Sequence, residues 1–152
     1  MQPQIFYLNS KPEVLVIPQK KIVEGRTDLF KYIDVDLSEQ TLRVYRNGLK
    51  EREFLVSTGI DRYPTPQGSF NVLAKIPVHD YEWSYGTDHP DNYSLDNVAN
   101  NLRFSGHYYL HYAYWHNNFG HKMSHGCVNI NLENSAWIYE WANVGDPVII
   151  HE

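Results

Sequence analysis

Residues 32–45 read Tyr32-Ile-Asp-Val-Asp-Leu-Ser-Glu-Gln-Thr-Leu-Arg-Val-Tyr45, two runs of alternating apolar and polar residues around a short polar break. Such alternation is typical of strands that bury one face. The Asn47-Gly48 pair that follows is a strong signal for a tight hairpin turn, and it leads toward a third predicted strand at 53–57. The stretch therefore predicts an antiparallel meander and a mainly β fold.

Farther along the chain, the pattern predicts a strand at 70–76 and a strand at 108–112. Between them, residues 77–106 show little periodicity but contain five aromatic residues. Connections of that length are often lids or binding segments, so we expect a long loop that packs against a site. Near the end, 131–142 has helical character with Asn131 as its N-cap, and 148–150 predicts a final strand.

The 152 residues suit one domain, which we place at 31–152. We interpret 1–30, with one possible strand at 13–17, as an N-terminal extension or linker. The net charge of −5 and the scattered Lys and Arg residues argue against a nucleic-acid partner. No apolar run is long enough to enter a membrane, and no signal peptide is visible. The chain is therefore either cytoplasmic or an exported domain shown without its leader.

Cys127 is the only cysteine, which excludes an intramolecular disulfide and a zinc site of the multi-cysteine kind. Composition alone would make it a buried small hydrophobe. Its neighbours point elsewhere, because it lies in Ser124-His-Gly-Cys-Val-Asn129, downstream of His111. A nearby base or cation favours the thiolate, and a strand residue such as His111 can reach the sulfur.

Gly126 allows a tight backbone conformation before the cysteine. We expect the amides of Gly126 and Cys127 to point at a developing oxyanion, beside a resting thiolate. Together, these features predict a thiol-dependent acyl-transfer enzyme that needs neither a metal nor a cofactor.

The motif resembles that of the L,D-transpeptidase catalytic domain family (YkuD-like): a His, a spacer, then Ser/Thr-His-Gly-Cys, an apolar residue and Asn or Arg. Here His111 and twelve spacer residues precede Ser124-His-Gly-Cys-Val-Asn129. The likeness extends over about 31–151. It implies a β-sandwich or barrel of mixed sheets with one main α-helix near the C-terminus.

The resemblance also implies the roles of individual residues. His111 would be the general base, and Tyr112 would orient it through the backbone carbonyl. His125 and Gly126 would assist Cys127 as catalytic residues at the oxyanion site. The expected substrate contacts are Ser124, Asn129, Tyr112, Trp115 and His116. Many members of the family carry Gly or Ser where this chain has Tyr112, so we expect that side chain to narrow the groove or to alter which donor is accepted.

By the same resemblance, the partners are peptidoglycan stem peptides, with carbapenems as expected inhibitors. Cys127 would take the acyl group from a tetrapeptide stem, release the terminal D-alanine, and pass the acyl group to a diamino-acid amine. Water as the acceptor would instead give an L,D-carboxypeptidase. The substrate implies an extracytoplasmic location, in the periplasm or cell wall.

Two other classes of function stay open at this level. A metal-binding module is one, since several ligand-type residues cluster in sequence: His107, His111, His116, His121, His125 and Cys127. A non-catalytic domain that binds the cell wall on the same scaffold is the other. Tyr81, Trp83 and Tyr85 are candidates for a lid over the groove, although ordinary packing explains them equally well.

Overall fold

The computed structural model describes residues 25–152, and within that range the chain forms nine β-strands and one α-helix. In chain order these are β1 (Lys31–Asp36), β2 (Thr41–Arg46), β3 (Leu49–Leu55), β4 (Gly68–Asn71), β5 (Ala74–Trp83), β6 (Tyr93–Ser105), β7 (Tyr108–Tyr112), β8 (Val128–Ile130), α1 (Leu132–Trp141) and β9 (Pro147–His151). The strand expected at 13–17 lies outside the described residues.

The strands form two mixed sheets. The first has the order β3-β2-β1-β9-β4, and the second has the order β5-β6-β7-β8. Each sheet contains one parallel pair among antiparallel neighbours: β1 with β9 in the first sheet, and β7 with β8 in the second. This confirms the expected mainly β fold of mixed sheets with a helix near the C-terminus.

One hydrophobic core joins the two sheets and the helix. The inward residues of β1, Ile33 and Val35, are fully buried, as the alternation of that strand predicts. They belong to the same cluster as Leu102 of β6, Leu110 of β7 and Ile138 of α1. Because both sheets contribute to one buried layer, the arrangement is a sandwich.

The β2–β3 hairpin turn forms where the sequence places it. Asn47 and Gly48 both have positive φ angles, 52° and 73°, as a two-residue turn of this hand requires. The third strand, however, starts directly after the turn at Leu49 and ends at Leu55, so the predicted range of 53–57 was too late.

The region 70–106 departs most from the sequence prediction. The strand expected at 70–76 is two strands, because the chain crosses from β4 in the first sheet to β5 in the second around the buried Val72. The segment 77–106 is no loop, since it holds most of the long β5–β6 hairpin. A register shift near His79 and positive φ angles at two asparagines of β6 interrupt its alternation, which hid both strands from a period-two pattern.

The helix begins as predicted. The Asn131 side chain accepts a hydrogen bond from the Asn134 amide at 2.9 Å, and Ala142 ends the helix. The last turn carries no basic residue of its own. Lysines from both sheets take that place: Lys31 Nζ donates to the Trp141 carbonyl at 2.5 Å, and Lys75 Nζ donates to the Ala142 carbonyl at 2.7 Å. Two cations thereby complement the C-terminal end of the helix dipole.

Lys31 should matter for stability beyond an ordinary surface lysine. Its ammonium also pairs with Asp146 at 2.9 Å, and both side chains are largely buried. In Lys31→Met, the carboxylate and the helix-end carbonyl lose their partner, so we expect about 2–4 kcal/mol less free energy of unfolding. Urea denaturation would measure this loss. Lys122→Met, which breaks the exposed Lys122–Asp61 pair, is the control and should cost about 0–1 kcal/mol; equal losses would contradict a special role for Lys31.

Candidate active site

The parallel pairing of β7 with β8 brings the two main candidates together. In this register, Leu110 faces Val128 and His111 faces Asn129. His111 lies within β7, and Cys127 immediately precedes β8. Both line one cavity of about 240 Å³. Residues that are separated along the chain thus share one site because neighbouring strands deliver them.

The cavity wall contains most of the predicted site residues. The predicted members are His111, Trp115, Ser124, His125, Cys127 and Asn129, and the remaining lining residues are Tyr81, Tyr93, Leu95 and Met123. Gly126, Tyr112 and His116 are not part of this lining.

A hydrogen bond at Nδ1 fixes the orientation of the His111 ring. The ring is buried, and Nδ1 lies 2.8 Å from the Tyr112 carbonyl oxygen. A carbonyl can only accept, so Nδ1 carries the proton and donates, which leaves the lone pair of the neutral ring on Nε2. Burial lowers the pKa of His111 to about 4, against the opposing effect of this hydrogen bond. At neutral pH the imidazole is therefore uncharged and able to accept a proton.

Tyr81 braces the His111 ring. Its aromatic ring packs on the imidazole at a centroid distance of 5.0 Å, and its hydroxyl donates to Oδ1 of the fully buried Asn101 at 2.7 Å. The Asn101 amide group in turn donates to the backbone carbonyls of Ile76 and Val98. The sequence offered Tyr81 only as a lid candidate, because the interrupted strand pattern concealed which face it occupies.

Cys127 is a half-buried free thiol whose Sγ lies 3.8 Å from the His107 carbonyl oxygen. Burial raises the pKa of Cys127 to about 12, and a hydrogen bond from the Tyr109 amide offsets this only in part. The expectation of a resting thiolate was therefore wrong. One cavity instead holds a protonated thiol and a neutral imidazole.

The backbone of the nucleophile loop needs glycine at 126. Gly126 has a φ of 125°, and a Cβ there would lie 2.4 Å from Cε1 of Tyr108. Side chains then tie the loop in place. Ser124 Oγ donates to the Cys127 carbonyl at 2.5 Å, and Thr65 Oγ1 donates to the Gly126 carbonyl at 2.8 Å. Ser124 thus supports the loop as well as lining the cavity.

The amide donors differ from the expected set. The Gly126 amide donates to Ser124 Oγ at 3.1 Å, so it is already engaged and does not point freely at an oxyanion. By contrast, the amides of His125 and Cys127 form no hydrogen bond with any acceptor in the range 25–152. These two amides, flanking Gly126, are the free donors of the loop.

A tautomer argument fixes the orientation of the buried Asn129 amide. The Asn118 amide donates to Nδ1 of His116 at 3.0 Å, so the neutral ring carries its proton on Nε2. That nitrogen lies 3.0 Å from Nδ2 of Asn129, so two donors would face each other; exchanging Oδ1 and Nδ2 of this side chain gives Nε2 its acceptor. The NH₂ of Asn129 then occupies the place of the amide atom that has no partner within residues 25–152. His116 thus holds the side chain of Asn129, a residue of the cavity wall.

Tyr112 and Trp115 lie at different places relative to the cavity. The Tyr112 ring is absent from the lining and contacts Tyr114 edge-on at 6.3 Å, so it does not narrow the groove as we had expected. Its backbone carbonyl is what reaches His111. Trp115 is 36% exposed at the cavity mouth, and its ring packs on His111 at 5.7 Å.

The metal alternative gains no support from the geometry. Across residues 25–152, no three side chains of the His, Cys, Asp or Glu type come close enough together to hold an ion. Within residues 25–152, no helix is long and apolar enough to cross a membrane.

Comparison with known proteins agrees with this site. The model of the YkuD family, the L,D-transpeptidase catalytic domain, matches residues 30–150. L,D-transpeptidase 1 of Mycobacterium tuberculosis is 34% identical over 118 residues, which cover 74% of this chain and 47% of that protein. The chain thus spans about half the length of this relative.

Solved structures give the same result. An L,D-transpeptidase from Mycobacterium smegmatis superimposes with a TM-score of 0.76 at 32% identity, covering 81% of this chain and 59% of that one. An L,D-transpeptidase in complex with imipenem superimposes with a TM-score of 0.75 at 30% identity, covering 80% and 59%. By sequence, fold and the residues of its cavity, this chain belongs to the L,D-transpeptidase catalytic domain family.

Proposed function

We propose that this protein is a peptidoglycan L,D-transpeptidase that works by cysteine acyl transfer. The observation that carries the proposal is the shared cavity of Cys127 and His111, in which the Tyr112 carbonyl leaves the His111 lone pair on Nε2. The matched family is the L,D-transpeptidase catalytic domain, and we take as substrates those that the resemblance of the motif implies: a tetrapeptide stem as donor and a diamino-acid amine as acceptor.

The first half-reaction forms a thioester. Cys127 Sγ attacks the carbonyl carbon that precedes the terminal D-alanine, while His111 Nε2 takes the thiol proton. The C–S bond forms, and the unengaged amides of His125 and Cys127 would stabilise the oxyanion. The C–N bond to D-alanine then breaks, and the amine leaves with the proton that His111 held.

In the second half-reaction, the sulfur becomes the leaving group and His111 delivers a proton to it. An amine in its neutral form attacks the thioester carbonyl, the new C–N bond forms, the C–S bond breaks, and one amine proton returns to the sulfur through His111. Water in place of the amine gives a carboxylic acid, so an L,D-carboxypeptidase would share the first half-reaction and differ only in the acceptor.

Inhibition by carbapenems and location follow from the same proposal. A carbapenem presents a strained carbonyl to the same thiol, and a related solved structure contains imipenem. Because the substrate is cell-wall peptide, we place the working protein outside the cytoplasm, in the periplasm or cell wall.

Acylation by a carbapenem tests the assignment of nucleophile and base. Intact-protein mass spectrometry should show one adduct on the unaltered protein and none on Cys127→Ala. His111→Ala should acylate about 100-fold or more slowly, because no other group takes the thiol proton.

The exposed loop residue His121 provides the matched control, and His121→Ala should acylate normally. An adduct on Cys127→Ala, or a normal rate in His111→Ala, would contradict the mechanism; a folded protein that binds peptidoglycan but never acylates would favour a non-catalytic wall-binding domain.

The pH dependence of acylation reports the depressed pKa of His111. The base must be neutral, and its pKa of about 4 means that it is neutral across the ordinary range. The acylation rate should therefore stay nearly constant from about pH 5 to about pH 8 and fall only as the pH drops through about 4. Stopped-flow measurement, with circular dichroism at each pH to verify folding, gives the profile. A tenfold loss for each unit below an apparent pKa near the ordinary value of about 6.5 would contradict a buried neutral base.

Gly126→Ala tests whether the close contact between residue 126 and Tyr108 matters beyond the strain of a positive φ angle. The new methyl group would collide with the Tyr108 ring in addition to the strain of the positive φ. We expect a loss of about 3 kcal/mol or more in the free energy of unfolding and a strong drop in acylation. Gly145→Ala is the control, since Gly145 has a φ of 98° but open space at its Cβ, and it should cost only about 1–2 kcal/mol. Similar losses in both variants would show that the Tyr108 contact is unimportant.

A further inference from the structure

Gln40, the last residue of the turn between β1 and β2, has no role in the mechanism above. Its φ angle is 51°, in the left-handed region that suits glycine, and its side chain is buried. A glutamine at such an angle costs conformational free energy, and its buried amide needs partners for both polar atoms. The contacts of this side chain therefore indicate why a glutamine is present at this turn.

The Gln40 amide clamps one residue of the β3–β4 loop, which comprises residues 56–67. Oε1 accepts a hydrogen bond from the Thr58 backbone amide at 2.9 Å. Nε2 donates to Thr58 Oγ1 at 2.6 Å and to the Leu37 carbonyl at 2.8 Å. A backbone N–H only donates and a carbonyl only accepts, so the two ends of this amide cannot be exchanged. Gln40 also accepts at its own carbonyl from the Val56 amide at 2.9 Å, and thus holds the start of the loop through side chain and backbone.

Thr58 passes this restraint to the loop that carries the nucleophile. Its carbonyl oxygen accepts hydrogen bonds from the backbone amides of Met123 and Ser124, at 3.0 Å and 3.1 Å. Ser124 in turn donates from Oγ to the Cys127 carbonyl. A continuous path of hydrogen bonds thus leads from Gln40, through Thr58 and Ser124, to the backbone of Cys127.

The path is stiff because its groups are buried. Gln40 is 5% exposed, Thr58 is 1% exposed and Ser124 is 9% exposed. Water cannot readily replace a partner that is removed at such a position, so the remaining donor or acceptor is left unsatisfied. Without the Gln40 amide, the Thr58 N–H would keep no acceptor unless the β3–β4 loop moved, and the Ser124–Cys127 loop is bonded to that loop.

We propose that Gln40 is a positioning residue for the acyl transfer, which fixes, through Thr58 and Ser124, the backbone that carries the Cys127 thiol. The inference rests on the proposed function of Cys127. Gln40 belongs to the turn of the first sheet and is not part of the cavity lining, so it acts on the geometry of attack and not on the substrate. That geometry is sensitive, because small displacements of a reacting group slow a reaction strongly.

Gln40→Met removes the clamp while keeping a side chain of the same length. At saturating carbapenem and per folded molecule, this variant should acylate about 10-fold more slowly than the unaltered protein at every pH from about 5 to about 8. Gln67→Met is the matched control, since Gln67 lies in the same β3–β4 loop with an exposed side chain, and it should acylate normally. A normal rate in folded Gln40→Met would overturn the proposal.

Gln40→Glu adds a pH readout that a purely structural role would not move. A neutral carboxylic acid copies the amide, because its C=O accepts from the Thr58 amide and its O–H donates to one partner of the former Nε2. The ionised form turns a second oxygen toward the Leu37 carbonyl with no proton between them, and burial raises the pKa of such a carboxyl group. The acylation rate of Gln40→Glu, divided by that of the unaltered protein, should therefore rise about 5-fold or more as the pH falls from about 8 to about 5. A flat ratio would overturn the proposal, and Gln67→Glu should give a flat ratio as the control.

The ratio also removes the titration of other groups from the comparison. The charged side chains on the elements packed around the turn are paired with one another: Asp36 and Glu39 with Arg43, His151 with Asp34, and Asp61 with Lys122. These pairs, like His111, are present in both proteins, so a change in the ratio reports residue 40.

Amide hydrogen exchange followed by mass spectrometry separates positioning from general stability. In Gln40→Met, peptides that cover 119–127 should exchange faster, because the Met123 and Ser124 amides bond to Thr58, while peptides of α1 should exchange as in the unaltered protein. Faster exchange throughout the domain, with normal acylation per folded molecule, would leave Gln40 a structural role only and overturn the proposal. Should Gln40→Met fail to fold, the Gln40→Glu ratio decides alone. An unaltered protein that forms no adduct on Cys127 would instead contradict the proposed function, and the exchange of 119–127 would still test the restraint.

Discussion

The parallel pairing of β7 with β8 is the constraint on which the site depends. Parallel neighbours cannot be joined by a tight turn, so the chain must leave Tyr112, travel outside the sheet, and return before Val128. The returning segment carries the Ser124–Cys127 loop and brings the Cys127 thiol next to the strand that holds His111. The same excursion brings His116 behind Asn129 and Trp115 to the cavity mouth. Hydrogen bonds from Ser124 and Thr65, together with the positive φ angle of Gly126, then fix the backbone conformation of this loop just before β8.

Burial gives this site a particular resting state. It raises the pKa of the Cys127 thiol and lowers that of the His111 imidazole, so both members of the pair are neutral before substrate arrives. A neutral pair avoids the cost of keeping an uncompensated charge in a poorly solvated cavity. In the proposed mechanism, the proton moves only when the attack creates an oxyanion, which the unengaged amides of His125 and Cys127 would stabilise. Reactivity then comes from arrangement around the developing charge and not from a thiolate held in advance.

Local sequence signals were enough to predict the parts of this structure that depend on neighbours in the chain. Alternation placed β1 and β2, Asn47-Gly48 placed the turn between β2 and β3, and Asn131 placed the helix start. The Ser-His-Gly-Cys motif and its upstream His marked two residues that the fold indeed brings to one cavity. What failed depends on contacts between distant residues. The irregular β5–β6 hairpin reads as a loop because its register shift breaks the two-residue period, and Tyr81 was underestimated for that reason. The engagement of the Gly126 amide by Ser124, and that of the Thr58 amide by Gln40, follow from packing that no pattern along the chain records.

The central claim, acyl transfer through Cys127, is tested most directly with a defined disaccharide-tetrapeptide and analysis of all products by mass spectrometry. The account predicts a protein thioester on Cys127 with loss of D-alanine, followed by a cross-linked dimer that joins the acyl group of one stem to the side-chain amine of another. A tripeptide as the sole product would make the protein an L,D-carboxypeptidase. Recovery of unchanged tetrapeptide, with folded protein and no adduct on Cys127, would contradict the claim.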